Sequence, residues 1–404
     1  MPEGERLLTL DVIRGVAVMG ILAANLPAFA LPEAAYFSPM AAGGTGPADL
    51  ALWFANFVLI EGKMRGLFSL LFGASMLLVI DRAAVAGEKP VSVHMARMAT
   101  LFVIGLFHLY LIWWGDILAH YALCGMLAYP FARLRATPLA TIGIGLLVLG
   151  TILSAAGLQV LIDSAGRDTP EAIATWNGFA TAFGTPPASE LASEAAAYRG
   201  GYATGVAWRW HHDMGPLQAL IVIGPQTIGT MLLGMAAYRN GFLTGVWPRA
   251  RYRRWAIVGL GTALPAYAAA GILTMRHDFA MEWVYANALV TTAPFRITGV
   301  FGIAALVMLS MRSAGRLTTR IAAAGRAAFT NYLATSIAMT FVFGWGLSQF
   351  GTWSRASLYL LAPAAWLVML AWSEPWLRRY RYGPLEWLWR SLARAEWQPL
   401  RRRH

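Results

Sequence analysis

Long apolar runs recur from one end of the chain to the other, separated by short connections that are either rich in arginine or nearly free of charge. A membrane-crossing helix needs about 20 predominantly apolar residues. The pattern predicts about ten spans, at 10–31, 51–82, 97–113, 115–132, 138–161, 217–238, 253–274, 284–311, 325–349 and 356–377. The second run is too long for one crossing and is broken by "IEGKMRG", Ile60 to Gly66. Such a break is tolerated at membrane depth only where the backbone is buried in protein or lines a cavity. The expected fold is an all-α polytopic membrane bundle forming a single membrane domain over 1–404.

Charge then orients the spans. The connections at 82–97, 133–137, 239–254 and 312–326 together with the tail carry most of the basic residues, among them Arg82, Arg97, Arg133, Arg249, Arg312, Arg326 and, in the tail, Arg403. The alternate connections are poor in Lys and Arg, so the positive-inside rule puts both termini in the cytoplasm. This leaves 162–215 outside, as an extracytoplasmic loop with a short helix after Pro186-Pro187. Residues 380–404 read as an interfacial helix and basic tail on the inner leaflet. The first run carries Asp11 and Arg14 and reads as a retained helix, not a signal peptide.

Composition agrees: 58% of the 404 residues are apolar and only 13% charged, against about 25% charged in soluble domains. The net charge of +12 is explained by the cytoplasmic loops, so no nucleic-acid partner is inferred. Cys124 is the single cysteine and excludes an internal disulfide. Small residues in the spans favour packing against further copies of the chain, a homo-oligomer.

Ionisable groups inside the spans are expensive, so each needs a partner or a watery cavity and each is a candidate for function. Asp11 and Arg14 are three apart and can pair on one helix face, or Arg14 can face a phosphate. Glu61, Lys63 and Arg65 fall in the break of the second span, toward the outer side, where broken helices commonly bind substrate. "FHLYLIWWGDILAHYALCG", Phe107 to Gly125, reads as a hairpin of two spans. It brings His108 beside Asp116 and His120, which four-residue spacing puts on one helix face. A carboxylate that orients an imidazole is what general base catalysis or a proton relay requires. Arg296 needs a partner, with Asp11 or Glu61 available, and Asn331 is either substrate-binding or an interhelical hydrogen bonder. His211, His212 and Asp213 fit no zinc motif, so no metal is expected. No Walker motif, dinucleotide fingerprint or nucleophile elbow is present.

Five stretches carry a resemblance: Arg6–Leu26, Glu61–Met76, Gly105–Pro130, Ala197–Arg209 and Gly325–Leu392. In this order and over nearly the whole chain they resemble the YeiB-like family of bacterial inner-membrane proteins (domain of unknown function 418). Asp11 to Gly15 is also similar to the first helix of a wider group of transmembrane acyltransferases. That similarity implies transfer of an acyl group from cytoplasmic acyl-CoA to an extracytoplasmic or lipid-linked acceptor. Enzymes of that group use a histidine soon after the first span. Here the first histidine is His94, expected in a cytoplasmic loop, so the base role falls to His108 or His120 with Asp116 orienting it. Arg14 would receive the donor's phosphates, and Glu61, Lys63, Arg65 and Asn331 the acceptor. The alternative is a proton-coupled secondary transporter or exporter of a small molecule, built on the broken span and the Asp/His pair.

Overall fold

A computed structural model describes residues 8–212, 214–311 and 315–402. Arg6, Asp213, Arg312 and Arg403 lie outside the described residues. In chain order the helices are α1 Leu8–Ala30, α2 Pro47–Leu59, α3 Lys63–Val85, α4 Pro90–Phe107, α5 Leu118–Ala128, α6 Ala136–Ser164, α7 Pro170–Phe183, α8 Ala188–Arg199, α9 Tyr202–His212, α10 Pro216–Arg239, α11 Arg249–Arg276, α12 Met281–Tyr285, α13 Ala293–Ser310, α14 Arg316–Arg326, α15 Ala328–Phe343, α16 Arg355–Tyr359, α17 Leu361–Arg379 and α18 Pro384–Arg394. Among the described residues there is no strand, only an isolated bridge between Tyr380 and Arg401.

Among the described residues, eight helical segments are long and apolar enough to cross a membrane: Leu8–Ala30, Pro47–Val85, Pro90–Ile112, Ala136–Ser164, Pro216–Arg239, Arg249–Arg276, Ala293–Ser310 and Arg355–Arg379. This is a helical membrane fold. The remaining two expected spans, 115–132 and 325–349, are the shorter helices α5 and α15. The 162–215 segment holds three helices, not one, because Gly200-Gly201 separates α8 from α9, with Gly201 at φ 111°, a conformation that favours glycine.

Lipid supplies no hydrophobic drive between helices, so close packing of small residues must do the work. Glycines provide it at several seams. Gly73 of α3 lies against the Met231 carbonyl of α10, and Gly234 of α10 against the Leu70 carbonyl of α3. Gly325 of α14 lies against the Asp11 carbonyl of α1, and Gly259 of α11 meets Gly302 of α13. A side chain at any of these points would wedge two backbones apart.

The break between α2 and α3 turns at Gly62, φ 69°. It lies deeper than the sequence suggested. Met64 packs beside Gly20, midway along α1, so Glu61 and Lys63 are buried in the bundle and not at its outer rim. Lys63 is fully buried. Its Nζ donates to the Phe57 (3.3 Å) and Glu61 (3.2 Å) carbonyls and sits 3.1 Å above the Tyr267 ring centroid. The ammonium thus meets the negative end of the α2 dipole and an aromatic face, which together offset a desolvation cost of several kcal/mol.

Candidate functional site

Chain crossings put Arg82, Arg97, Arg326 and Arg390 at one end of the bundle, the basic end. A cavity of about 230 Å³ opens there, its mouth including exposed Arg82. Five arginines line it (Arg14, Arg82, Arg97, Arg326, Arg390) against two carboxylates, Asp11 and Glu386. Both carboxylates are already engaged. Asp11 pairs with Arg14 at 3.0 Å, while Arg14 also donates to Ser75 Oγ at 2.9 Å. Glu386 accepts the Phe329 (2.8 Å) and Thr330 (3.2 Å) amides at the start of α15, where a helix N-terminus favours an anion. Deeper in, the lining turns apolar, through Phe68, Leu71, Phe72, Met98 and Leu101, to Leu118 and Tyr121 of α5. A cationic mouth with an apolar depth suits a ligand with an anionic head and an apolar tail.

Neither His108 nor Asp116 lines this cavity, but Asp116 stands two residues before Leu118, which does. His108 opens a π-helical turn, His108–Ile112, a distortion frequent at functional sites. Its Nδ1 lies 2.8 Å from Asp116 Oδ1, both side chains 1% exposed. Asp116 Oδ2 accepts the Ala119 amide at 2.8 Å. An ionised carboxylate only accepts, so Nδ1 carries the proton and a neutral ring presents its lone pair at Nε2. That Nε2 is buried and has no hydrogen-bond partner among the described residues. A buried unsatisfied nitrogen costs about 1–3 kcal/mol, and this one is held in place by its carboxylate, the Trp113 ring and the Tyr332 ring.

Residues 237–396 match the family model described as "Protein of unknown function (DUF418)". The chain is 32% identical over 399 residues to "Uncharacterized protein YeiB" of Escherichia coli (strain K12), spanning 96% of each chain. It is 30% identical over 409 residues to "Uncharacterized protein YxaH" of Bacillus subtilis (strain 168), spanning 98% of this chain and 96% of that one. The chain belongs to the YeiB-like family. No solved structure matches it significantly.

Other expectations for this YeiB-like chain are revised by the geometry. His120 does not share a face with Asp116, because α5 begins only at Leu118 and Asp116 precedes it. His120 instead turns to α10, its Nε2 2.9 Å from Thr227 Oγ1. Thr227 donates to the Ile223 carbonyl, so it accepts from His120, which leaves that nitrogen no free lone pair. His94 is not in a loop. It is buried in α4, bonded through Nε2 to the Gly125 carbonyl at 3.0 Å, and lines the cavity. Arg296 pairs with neither Asp11 nor Glu61. It donates to Gln226 Oε1 (3.0 Å) and the Ala288 carbonyl (2.7 Å), beside a second π-helical turn at Ala286–Thr291. Asn331 joins helices, donating to the Ala324 carbonyl and accepting from Trp372, and does not line the cavity. His211 and His212 are exposed, with His212 stacked on Trp208. Helix α18 docks on the cavity rim through Glu386 and through Trp389, which donates to the Arg97 carbonyl and lies under the Arg97 guanidinium.

Glu61 and Arg65 connect the cavity to the opposite end. Tyr121 at the cavity's inner end bonds Ser69 (2.6 Å) and the Arg65 carbonyl (3.2 Å). The Arg65 guanidinium lies within electrostatic reach of Glu61 and Tyr121, and Tyr36 donates to Glu61 at 2.6 Å. Sequence reading missed Tyr36, Tyr121 and Glu386. Buried tyrosines carry no pattern of their own, and Glu386 lies in a segment that reads as a free amphipathic helix.

Proposed function

We propose that this protein transfers an acyl group from a cytoplasmic acyl donor, such as acyl-CoA, to an extracytoplasmic or lipid-linked hydroxyl or amine, in the bacterial cytoplasmic membrane with both termini inside. The observation that carries the reading is the cavity, cationic at the mouth and apolar within, that runs from the basic end to the helix headed by Asp116. The donor's phosphates meet Arg14, Arg97 and Arg390, and its acyl chain follows Phe68, Leu71 and Phe72. His108 Nε2 takes the acceptor's proton as the acceptor attacks the acyl carbonyl, the bond from the acyl carbon to the donor's sulfur breaks, the thiol leaves with that proton from His108, and Asp116 holds the ring in the required tautomer. Incubating purified protein with labelled acyl-CoA and cell-envelope extract tests it. Labelled product lost in His108→Asn supports the reading, and absence of donor binding across chain lengths sinks it.

A proton-coupled transporter is the second reading, favoured by the buried helix break with Glu61, Lys63 and Arg65 at mid-depth. In proteoliposomes, flux that ignores the proton gradient in wild type and in Asp116→Asn alike removes the coupling role.

A further inference from the structure

Among the described residues, Arg355 is the largest completely buried side chain. It opens α16 at the end of the bundle opposite the cavity. Nη2 donates to the Ala35 carbonyl, but Nε and Nη1 have no hydrogen-bond partner among the described residues, and the guanidinium forms no ion pair there. Asp49, the nearest carboxylate acting on it, is engaged with the Ala356 amide at 2.8 Å. One turn along α16 the Tyr359 hydroxyl is also buried without a well-formed bond, although it lies near enough to feel both Arg355 and Glu61. Ser38 Oγ, on the turn after Ala35, is a further buried hydroxyl without a partner. Native proteins satisfy nearly all buried polar groups, so several unsatisfied ones together mark a place built for something else. A desolvated guanidinium whose Nε and Nη1 make no well-formed hydrogen bond, with only the Tyr359 hydroxyl in reach, recognises an oxyanion best.

A loop covers it. The Phe37–Gly46 loop closes over Arg355, whose amide bonds the Gly43 carbonyl at 2.7 Å. Gly43 and Gly44 both have positive φ, 92° and 90°, and a Cβ at Gly43 would run into Leu31. Only glycine lets this flap lie so close.

We propose that Arg355 and Tyr359 form a binding site for a small oxyanion, a carboxylate or phosphate group, admitted from the end opposite the cationic cavity beneath the Gly43-Gly44 flap. The site stands apart from acyl transfer and survives its failure.

Thermal unfolding of the full chain in detergent, followed by tryptophan fluorescence, is titrated with inorganic phosphate or with acetate, chloride held constant. Stabilisation by either anion, weakened about tenfold in midpoint by Tyr359→Phe and abolished by Arg355→Lys, supports the site; the anion that acts distinguishes phosphate from carboxylate. Tyr359→Phe keeps the test decisive where Arg355→Lys does not fold. Arg97→Gln, which removes a phosphate-binding arginine of the cationic cavity, reports any anion bound there instead. No shift with either anion, or a shift lost in Arg97→Gln and kept in Tyr359→Phe, overturns the proposal.

Discussion

Three residues of one hairpin show how local geometry separates a reactive histidine from a structural one. His108 has its Nδ1 committed to Asp116 and its Nε2 uncommitted, whereas His120 has spent Nε2 on Thr227. Asp116→Asn should therefore keep the fold, since an amide oxygen still accepts from Ala119, yet lower acyl transfer by about 10²–10⁴-fold. His120→Asn should cost about 1 kcal/mol of stability and leave the turnover of the folded fraction near wild type. Rates and melting temperatures on the same preparations separate the two. A second residue-scale effect is set by pH. Burial, with Glu190 nearby, raises Glu33 to about 7, and burial with the neighbouring glutamates raises Glu194 to about 8. The Glu33 amide donates to Glu194 at 3.1 Å, tying the turn after α1 to α8. A folded-state pKa above the unfolded one means that stability is full below about 4.5 and is lost as pH rises through 7 to 8. Protection factors in α8, which remove the intrinsic pH dependence of exchange, should fall over that window, and Glu194→Gln should flatten the response. Protection unchanged from pH 6 to 9 in wild type would refute it.

At the scale of elements, the glycine seams give opposite predictions for the same substitution type. Gly325→Val and Gly73→Val push a side chain into a backbone carbonyl of the neighbouring helix and should cost at least about 1–3 kcal/mol. Gly145→Ala, in α6 with nothing within 4 Å, should raise stability by about 0.5–1 kcal/mol through helix propensity. Melting curves in one detergent compare all three. The long apolar runs made the helices legible, and the double-length run with "IEGKMRG" in its middle revealed the break. Its depth was not legible, because depth is set by which residue of α1 packs beside Met64. The Asp116–His120 pairing failed for a local reason: Asp116 caps the helix instead of joining it, and a capping carboxylate and a first-turn residue look alike in a string of letters. His94 was misplaced because α4 begins at Pro90 and not at Arg97, so residues that read as basic connection are its first turns.

For the whole molecule, the distribution of charge between the two ends decides what each can admit. The cavity end gathers arginines around a mouth whose carboxylates are already bonded, so Arg14→Gln and Arg97→Gln should each weaken acyl-CoA binding about tenfold. The loss should shrink as salt is raised, since ions screen partly exposed phosphate contacts. Equilibrium binding at two ionic strengths checks both statements. The glycine seams carry one more consequence. Helices locked backbone to backbone resist sliding past one another, so the interior behaves as a fixed frame and not as two halves that rock. On the two proposals above, access to each site then depends on what covers it, the α18 helix at one end and the Gly43-Gly44 loop at the other. A crosslink across the α3–α10 seam should then leave the protein working, while a tether pinning either cover should stop it.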